Sequence, residues 1–472
     1  MSPPTDMLAH LRRLQRRWFL RDSALGLGGM ALAALDRGEG RSRRQIPARA
    51  RSVIYLHMEG APPTLDIFDR KPELDRLDGE PCPDSFLQGE RFAFIKGHPR
   101  LLGHRHGWLR AGNGIEVCEL FPHLAQQLGD VTLVRSMFTD QFNHAPAELL
   151  LFSGSPRPGR PSMGSWVSYG LGSDNRDLPA FVVMTSGGTL PSAGRSLWSS
   201  GFVPTVHQGV ELRSTGDPVL YLQDPAGYDR ARRERSLRAI VDLDREHHDA
   251  FGDPETETRI AQYELAFRMQ SSVPEAVDLA SEPPEVHALY GTTPGATSLA
   301  NNCLLARRLV ERGVRFVQLF DAGWDIHGTN PTDDLMTQFP KKARELDRAL
   351  AALLVDLRRR GLLDETLVVW GGEFGRTPMN EKRNGSTLWG RDHHPHCYSM
   401  LLAGGGVKCG AVIGATDAIG YRITENPIHV HDLQATMLHL LGVDHEQLTY
   451  GFQGRAFRLT DVHGVVRREL LA

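Results

Sequence analysis

Residues 298–328, SLANNCLLARRLVERGVRFVQLFDAGWDIHG, pass through helix, turn, strand and loop without a break. Ser298 is placed to cap a helix that carries Leu299, Cys303, Ala306, Leu309 and Val310 on one face, and Gly313 closes it. The apolar run Val314–Phe320 follows, then a loop bearing Asp321, Asp325, Ile326 and His327. Runs of this length and composition, bounded by Gly or Pro, read as buried strands of a parallel sheet. Four more repeat the plan: Ser52–Met58, Val131–Met137, Thr366–Trp370 and Tyr398–Ala403. Glu59 and Asp66 follow the first, Thr139, Asp140, Asn143 and His144 the second, and Glu373 with Arg376 the third; Asp392-His393-His394-Pro395-His396 comes just before the last. Open α/β sheets bind ligands outside the carboxyl ends of their strands. Acids and imidazoles gathered there are the donor set of Zn²⁺, Mn²⁺ or Ca²⁺. A metal-centred α/β protein is expected.

A second helix–strand unit supports this. Leu346, Ala349, Leu350, Leu353, Leu354 and Leu357 recur at helical spacing, Arg358–Arg360 complement the end of the helix dipole, and Gly361 stops it before Thr366–Trp370. Residues 225–272 read as two polar helices, Arg- and Glu-rich, with apolar content starting at Ile260, Tyr263, Leu265 and Met269, within a stretch near 225–290. They read as an insertion or flank on one main domain spanning 52–472.

The chain has 472 residues and a net charge of −3. Residues 1–50 carry 10 Arg against 4 acids, so the body is acidic. That balance argues against nucleic acid as partner, since phosphate contacts need concentrated Lys and Arg. The basic start has another reading. Gln15-Arg16-Arg17-Trp18-Phe19-Leu20-Arg21 precedes the apolar stretch Ala24–Leu35, the pattern of a twin-arginine export signal over residues 1–35. A polar tether, 36–51, follows it. The expected location is periplasmic or cell-surface, with the twin-arginine machinery as partner and no transmembrane span beyond the signal. The 5 cysteines show no CxxC spacing and imply no disulfide framework. No G-x-S-x-G elbow, phosphate-binding P-loop or dinucleotide fingerprint is present, which disfavours serine-hydrolase and nucleotide-driven chemistry.

Each loop offers a chemical role beside a plainer one. Asp325 and His327, two residues apart in an extended loop, face one side and either share an ion or hydrogen-bond each other. Asp392, His393 and His394 form a dense donor cluster, with Pro395 holding His394 extended. Glu373 leaves a buried strand through Gly371-Gly372, glycines that permit close approach to a ligand, and needs an answering charge from a cation or from Arg376. His144 stands before Pro146 at the start of a helix over Ala147–Phe152, where an oxyanion is attracted to free N–H groups. Asp432 reads as a helix cap, and His429 or His431 reaches towards the site.

Three stretches carry a resemblance. Glu345–Gly375, ELDRALAALLVDLRRRGLLDETLVVWGGEFG, is similar to the sulfatase segment leading to "SDHG". His431–Gly442, HDLQATMLHLLG, resembles a later sulfatase helix, and Asn143–Gly154, NHAPAELLLFSG, lines up with the nucleophile segment. Their order is that of the alkaline phosphatase-like superfamily. From FLRDSALGLGGMAL through GRPSMGSWVSYGLG, GWDIHG, GGEFGRTP and RDHHP, the chain resembles an exported family called domain of unknown function 1501. The resemblance implies an alkaline phosphatase-like three-layer α/β sandwich with a mostly parallel central sheet. It also implies metal-dependent hydrolysis of a phosphate or sulfate ester on a small molecule or glycan. His144 stands at the nucleophile position, Glu148 at the arginine position, Glu373-Phe374 at the Asp-His pair and Met58-Glu59 at the paired acids, so formylglycine chemistry has no residue to use. The expected ligands to one or two divalent ions are Glu59, Asp325, His327, Glu373, Asp392 and His393, with Zn²⁺ or Mn²⁺ favoured over Ca²⁺. His144, Thr139 and Arg376 are the expected catalytic groups, and Asn143, His394 and His431 the substrate-binding ones. The alternative is a non-catalytic metal-containing protein that binds an anionic glycan or a partner. A structural ion that only pins the loops is a third reading.

Overall fold

The computed structural model describes residues 46–213, 217–219, 229–251 and 254–472. The expected export signal, 1–35, and most of the expected tether, 36–51, therefore lie outside the described residues.

Nine strands form the central sheet: β1 Ser52–Met58, β2 Val131–Phe138, β3 Phe181–Ser186, β4 Val210–Glu211, β5 Phe316–Asp321, β6 Thr366–Gly371, β7 Tyr398–Ala403, β8 Val412–Ile413 and β9 Ile428–His429. Their lateral order is β8-β2-β7-β6-β1-β5-β3-β4, with β9 also paired to β2. All pairings are parallel except those of β7, which runs antiparallel to both β2 and β6. The five apolar runs all become strands, and β5 starts at Phe316, two residues later than expected.

Period-2 alternation divides the core. Ile54, Leu56, Val317, Leu319, Val368 and Trp370 face one side; Val53, Tyr55, Phe316, Phe320, Leu367 and Val369 face the other. Helices α1 His144–Ser153, α2 Met163–Leu171 and α7 Val430–Leu440 pack on the second face. Helices α5 Leu299–Glu311 and α6 Gln338–Arg359 cover the first. This is the expected three-layer sandwich. The Ser298 hydroxyl caps α5 by accepting from Asn301 N at 3.1 Å, and Gly361 follows α6 with φ +68°.

Two long helices, α3 Arg230–Phe251 and α4 Pro254–Val277, are described in the stretch near 225–290. Met269, Val273 and Ala276 of α4 join the core under α5, and Arg308 Nε donates to Ala276 O at 2.8 Å. Residues 46–50 are fastened to the body: Ile46 N donates to Gly442 O, and Arg49 and Ala50 N to Leu440 O. No helix among the described residues is long and apolar enough to cross a membrane.

The reversal of β7 matters for the site. The other strands deliver the loops that follow them to the carboxyl edge, whereas an antiparallel strand delivers the loop that precedes it. Asp392–His396 thus reaches the same rim as the loops after β1, β2, β5 and β6.

Candidate metal centre

Three imidazoles and one carboxylate meet at that rim. Asp325 Oδ1 lies 2.8 Å from His327 Nε2, 3.3 Å from His144 Nε2 and 3.4 Å from His393 Nε2. These four residues each offer a ligand atom within 4.8 Å of the others.

The opposite nitrogen of every ring is already engaged. His144 Nδ1 donates to Glu373 Oε1 at 2.5 Å, His327 Nδ1 to Glu381 Oε2, and His393 Nδ1 to the Phe142 carbonyl at 2.7 Å. An oxygen acceptor on Nδ1 engages that nitrogen's proton and turns Nε2 towards the shared centre, which is how metal-binding histidines are oriented. His144 Nε2 is buried and faces Asp325 Oδ1 at 3.3 Å without the alignment of a hydrogen bond, so its hydrogen-bonding capacity is unfilled. The donor set and this orphaned nitrogen fit a borderline divalent cation.

Local folding explains the convergence. Asp325 and His327 flank Ile326, whose side chain is buried in the core. Arg376 and His393 are directly opposed in the antiparallel pair Gly375-Arg376 with His393-His394, so both project from one face. Arg376 Nη2 binds Asp325 Oδ1 at 2.5 Å and the Gly60 carbonyl, and Nε binds the Ala61 carbonyl. Of the two answering charges open to Glu373, Arg376 does not supply one; Glu373 meets His144 and His57, whose Nε2 lies 3.3 Å away. Gly390 permits the loops to touch, since a Cβ there would sit 1.9 Å from the His327 carbonyl carbon. Gly371 and Gly372 serve neighbouring chain rather than a ligand, for their Cβ positions would meet Met400 and Pro62.

Electrostatics follow from this crowding. Burial would raise the Asp325 carboxyl, but Arg376 and the three imidazoles hold it well below the usual carboxylate range. Burial would lower His144, yet Asp325 and Glu373 push it up to about 10. His393 falls to about 4 through burial, with Arg376 and His144 adding to it. Glu148, fully buried, is pushed up to about 8 by burial and by Glu373, and its oxygens accept from Ser192 and Ala193 N. Glu59 is raised by burial and by Glu373, and accepts from Ser192 Oγ at 3.1 Å.

The remaining expected residues are spread around the centre. Glu59 and Glu373 stand outside the four-donor group. Asp392 is within reach of His327 and Glu381, but Oδ2 accepts from Phe94 and Ile95 N and Oδ1 from His393 N, so it braces the loop. His394 is turned the other way by strand alternation: Nε2 binds the Tyr421 carbonyl at 2.6 Å and its ring stacks on Tyr421. His431 is occupied with Gln434 and His463, away from the four donors. Asn143 precedes α1 with an exposed side chain that caps nothing. The helix starts at His144, so Pro146 is its third residue rather than its first. Thr139 Oγ1 is buried without a partner, and its N–H is tied to Pro395 O. Asp432 is not the cap of α7 but the third residue of a capping box headed by His429.

Two contributors escaped the sequence reading, His57 and Glu381. His57 hides inside an apolar strand, with Phe152 and Phe320 edge-on to its ring. Glu381 lies beyond GGEFGRTPMN, with no neighbouring donor to mark it.

The family model described as "Protein of unknown function (DUF1501)" matches residues 50–471. The chain belongs to the DUF1501 family. Among solved structures, this DUF1501 protein is similar to a sulfatase from Pseudoalteromonas sp., with 12% identity, 93% of this chain and 74% of that chain covered, and a TM-score of 0.38. It is similar also to a protein in the alkaline phosphatase superfamily from Vibrio parahaemolyticus, at 11% identity, 84% and 69% coverage and a TM-score of 0.37. For the alkaline phosphatase of the Antarctic bacterium TAB5 the values are 10%, 83% and 98%, and 0.34. A comparison with curated proteins found no match.

Proposed function

We propose that this DUF1501 protein is an exported, metal-dependent hydrolase of phosphate or sulfate esters. The observation that carries the reading is the convergence of three Nε2 atoms, each set by an oxygen acceptor on Nδ1, upon the Asp325 carboxylate. His144, His327, His393 and Asp325 would hold one ion, with Zn²⁺ or Mn²⁺ preferred because imidazoles outnumber carboxylates. Lewis acidity towards a phosphoryl or sulfuryl oxygen is the chemistry such an ion supplies. Arg376 balances Asp325 and fixes its orientation through three backbone carbonyls. Glu59, half-buried and raised, is a carboxyl with solvent access that lies outside the four-donor group, and we assign it proton transfer to the departing oxygen. Glu148, also raised by burial and by Glu373, accepts from Ser192 and Ala193 N and forms the buried wall behind Glu59.

Elemental analysis of purified protein, paired with hydrolysis of 4-nitrophenyl phosphate and sulfate, tests this. About one equivalent of metal is expected, and His327→Ala and His393→Ala should each lose metal and hydrolysis together. Full occupancy in both variants would overturn the assignment. Bound metal with no turnover on either ester class would leave a non-catalytic binder of an anionic glycan in its place.

A further inference from the structure

A cavity adjoins the metal centre and has its own chemistry. It encloses ≈ 430 Å³ between residues 93–100 and 380–383. Lys96, Arg100, Lys382 and Arg383 line it, against one carboxylate, Glu381. That carboxylate is spent on His327 Nδ1 and Arg383 Nε, leaving the positive charge of the other three side chains unanswered by any acid in the wall. Arg383 is held rigidly, its guanidinium 3.5 Å over the Phe94 ring. Asn380 stands in the same wall, 5% exposed, with both amide atoms lacking a hydrogen-bond partner. Folding alone gives no reason to bury that amide, because a buried polar group without a partner is destabilising.

Cavity and metal centre share a partition. Phe94 lies edge-on to His327 and His393, Glu381 orients His327, and Arg383 Nη2 approaches His327 Nδ1 at 3.2 Å. We propose that this cavity is a specificity subsite that binds a second anionic group, a sulfate, phosphate or carboxylate, on a sugar unit next to the ester being cleaved. The substrate class is then a polyanionic glycan fragment rather than a simple monoester. The inference rests on the reading of the metal centre as an esterase site. The volume suits one sugar residue with its substituent, within the range of about 300–1,000 Å³ usual for small-molecule sites. Lys and Arg attract the charge, and the Asn380 amide supplies the donor and acceptor that a sugar hydroxyl or ester oxygen completes.

The test is calorimetric titration of the full chain with sucrose octasulfate, chelator present so that binding does not depend on the metal. Uncharged sucrose is the control. Lys96→Gln/Lys382→Gln should weaken octasulfate binding about tenfold, as expected when two of the four cationic side chains are lost. Lys382 has φ +48°, and glutamine bears the same backbone cost, so the variant folds as the parent does. Asn380→Leu should weaken binding while leaving Tm unchanged or raised, a combination that a purely structural asparagine would not give. Absence of octasulfate binding by the parent chain, or equal affinity in the parent and both variants, would overturn the subsite. Hydrolysis of 4-nitrophenyl esters reports on the metal centre alone: turnover without charge-dependent octasulfate binding sinks the subsite only, and charge-dependent binding without turnover sinks the esterase reading only.

Discussion

A histidine becomes a metal donor through what holds its far nitrogen, and here three different acceptors do that work. Glu381 is the most informative of them, because it touches His327 on one oxygen and Arg383 on the other. Glu381→Gln keeps the shape but can present its NH₂ to His327 Nδ1, which reverses the tautomer and turns a hydrogen away from the ring's inner lone pair. Metal affinity should fall about 10–100-fold, the usual effect of losing such an outer partner. Competition titration against a chromogenic chelator reads it, and unchanged affinity would show that His327 is not a ligand. The sequence revealed the inner donors and concealed their supports for a physical reason. Asp325, His327 and His393 sit in loops beside Gly or Pro, where polar residues stand out against apolar runs. His57 is masked by the strand that contains it, Glu381 has no flanking motif, and the Phe142 carbonyl belongs to the backbone, which no side-chain pattern records.

At the scale of elements, the apolar runs disclosed which segments are strands but not their directions. Nothing in Tyr398–Ala403 marks it as antiparallel, yet that reversal is what carries the preceding His393 to the rim. Helix α7 shows a related limit. His429 and His431 were readable as residues that reach the site; the capping box instead binds His429 to the helix start, and His431 is buried against Gln434 and His463. Burial pushes His431 down to about 4, and the nearby His429 and His463 act in the same direction, against Gln434 and Asp140. The unfolded chain takes up a proton near pH 6.5 that the native helix refuses until about pH 4. Stability from this group is therefore complete above pH 6.5, declines as pH falls towards 4, and is level below that. The total is on the order of 3 kcal/mol. Urea unfolding with chelator present should show a shallower acid decline in His431→Gln than in the parent, and parallel curves would refute this account of the helix.

Across the whole molecule, the proposed ion would join polypeptide from four places: the start of α1, the loop after β5, the strand pair Gly375-Arg376 with His393-His394, and through Arg376 the backbone after β1. These segments are also held without it. Asp66 and Arg391 form a buried bidentate pair at 2.7 and 2.8 Å, Asp392 gathers three backbone N–H groups, and each imidazole keeps its Nδ1 acceptor. Metal removal should therefore leave the fold intact and subtract only the linkage term, about 4 kcal/mol at a free metal concentration a thousandfold above Kd. For a body of this size that corresponds to a fall of roughly 3–8 °C in Tm. Calorimetry should show one cooperative transition before and after chelation, shifted by that amount and restored by one equivalent of Zn²⁺ or Mn²⁺. Arg391→Ala is the contrasting case, since it strands Asp66 as a buried charge and should lower Tm whether metal is present or not. A Tm indifferent to chelation and re-addition, in a protein whose Arg391→Ala variant is destabilised, would mean that the rim is braced by its own ion pairs alone and that no cation is held by the converging imidazoles.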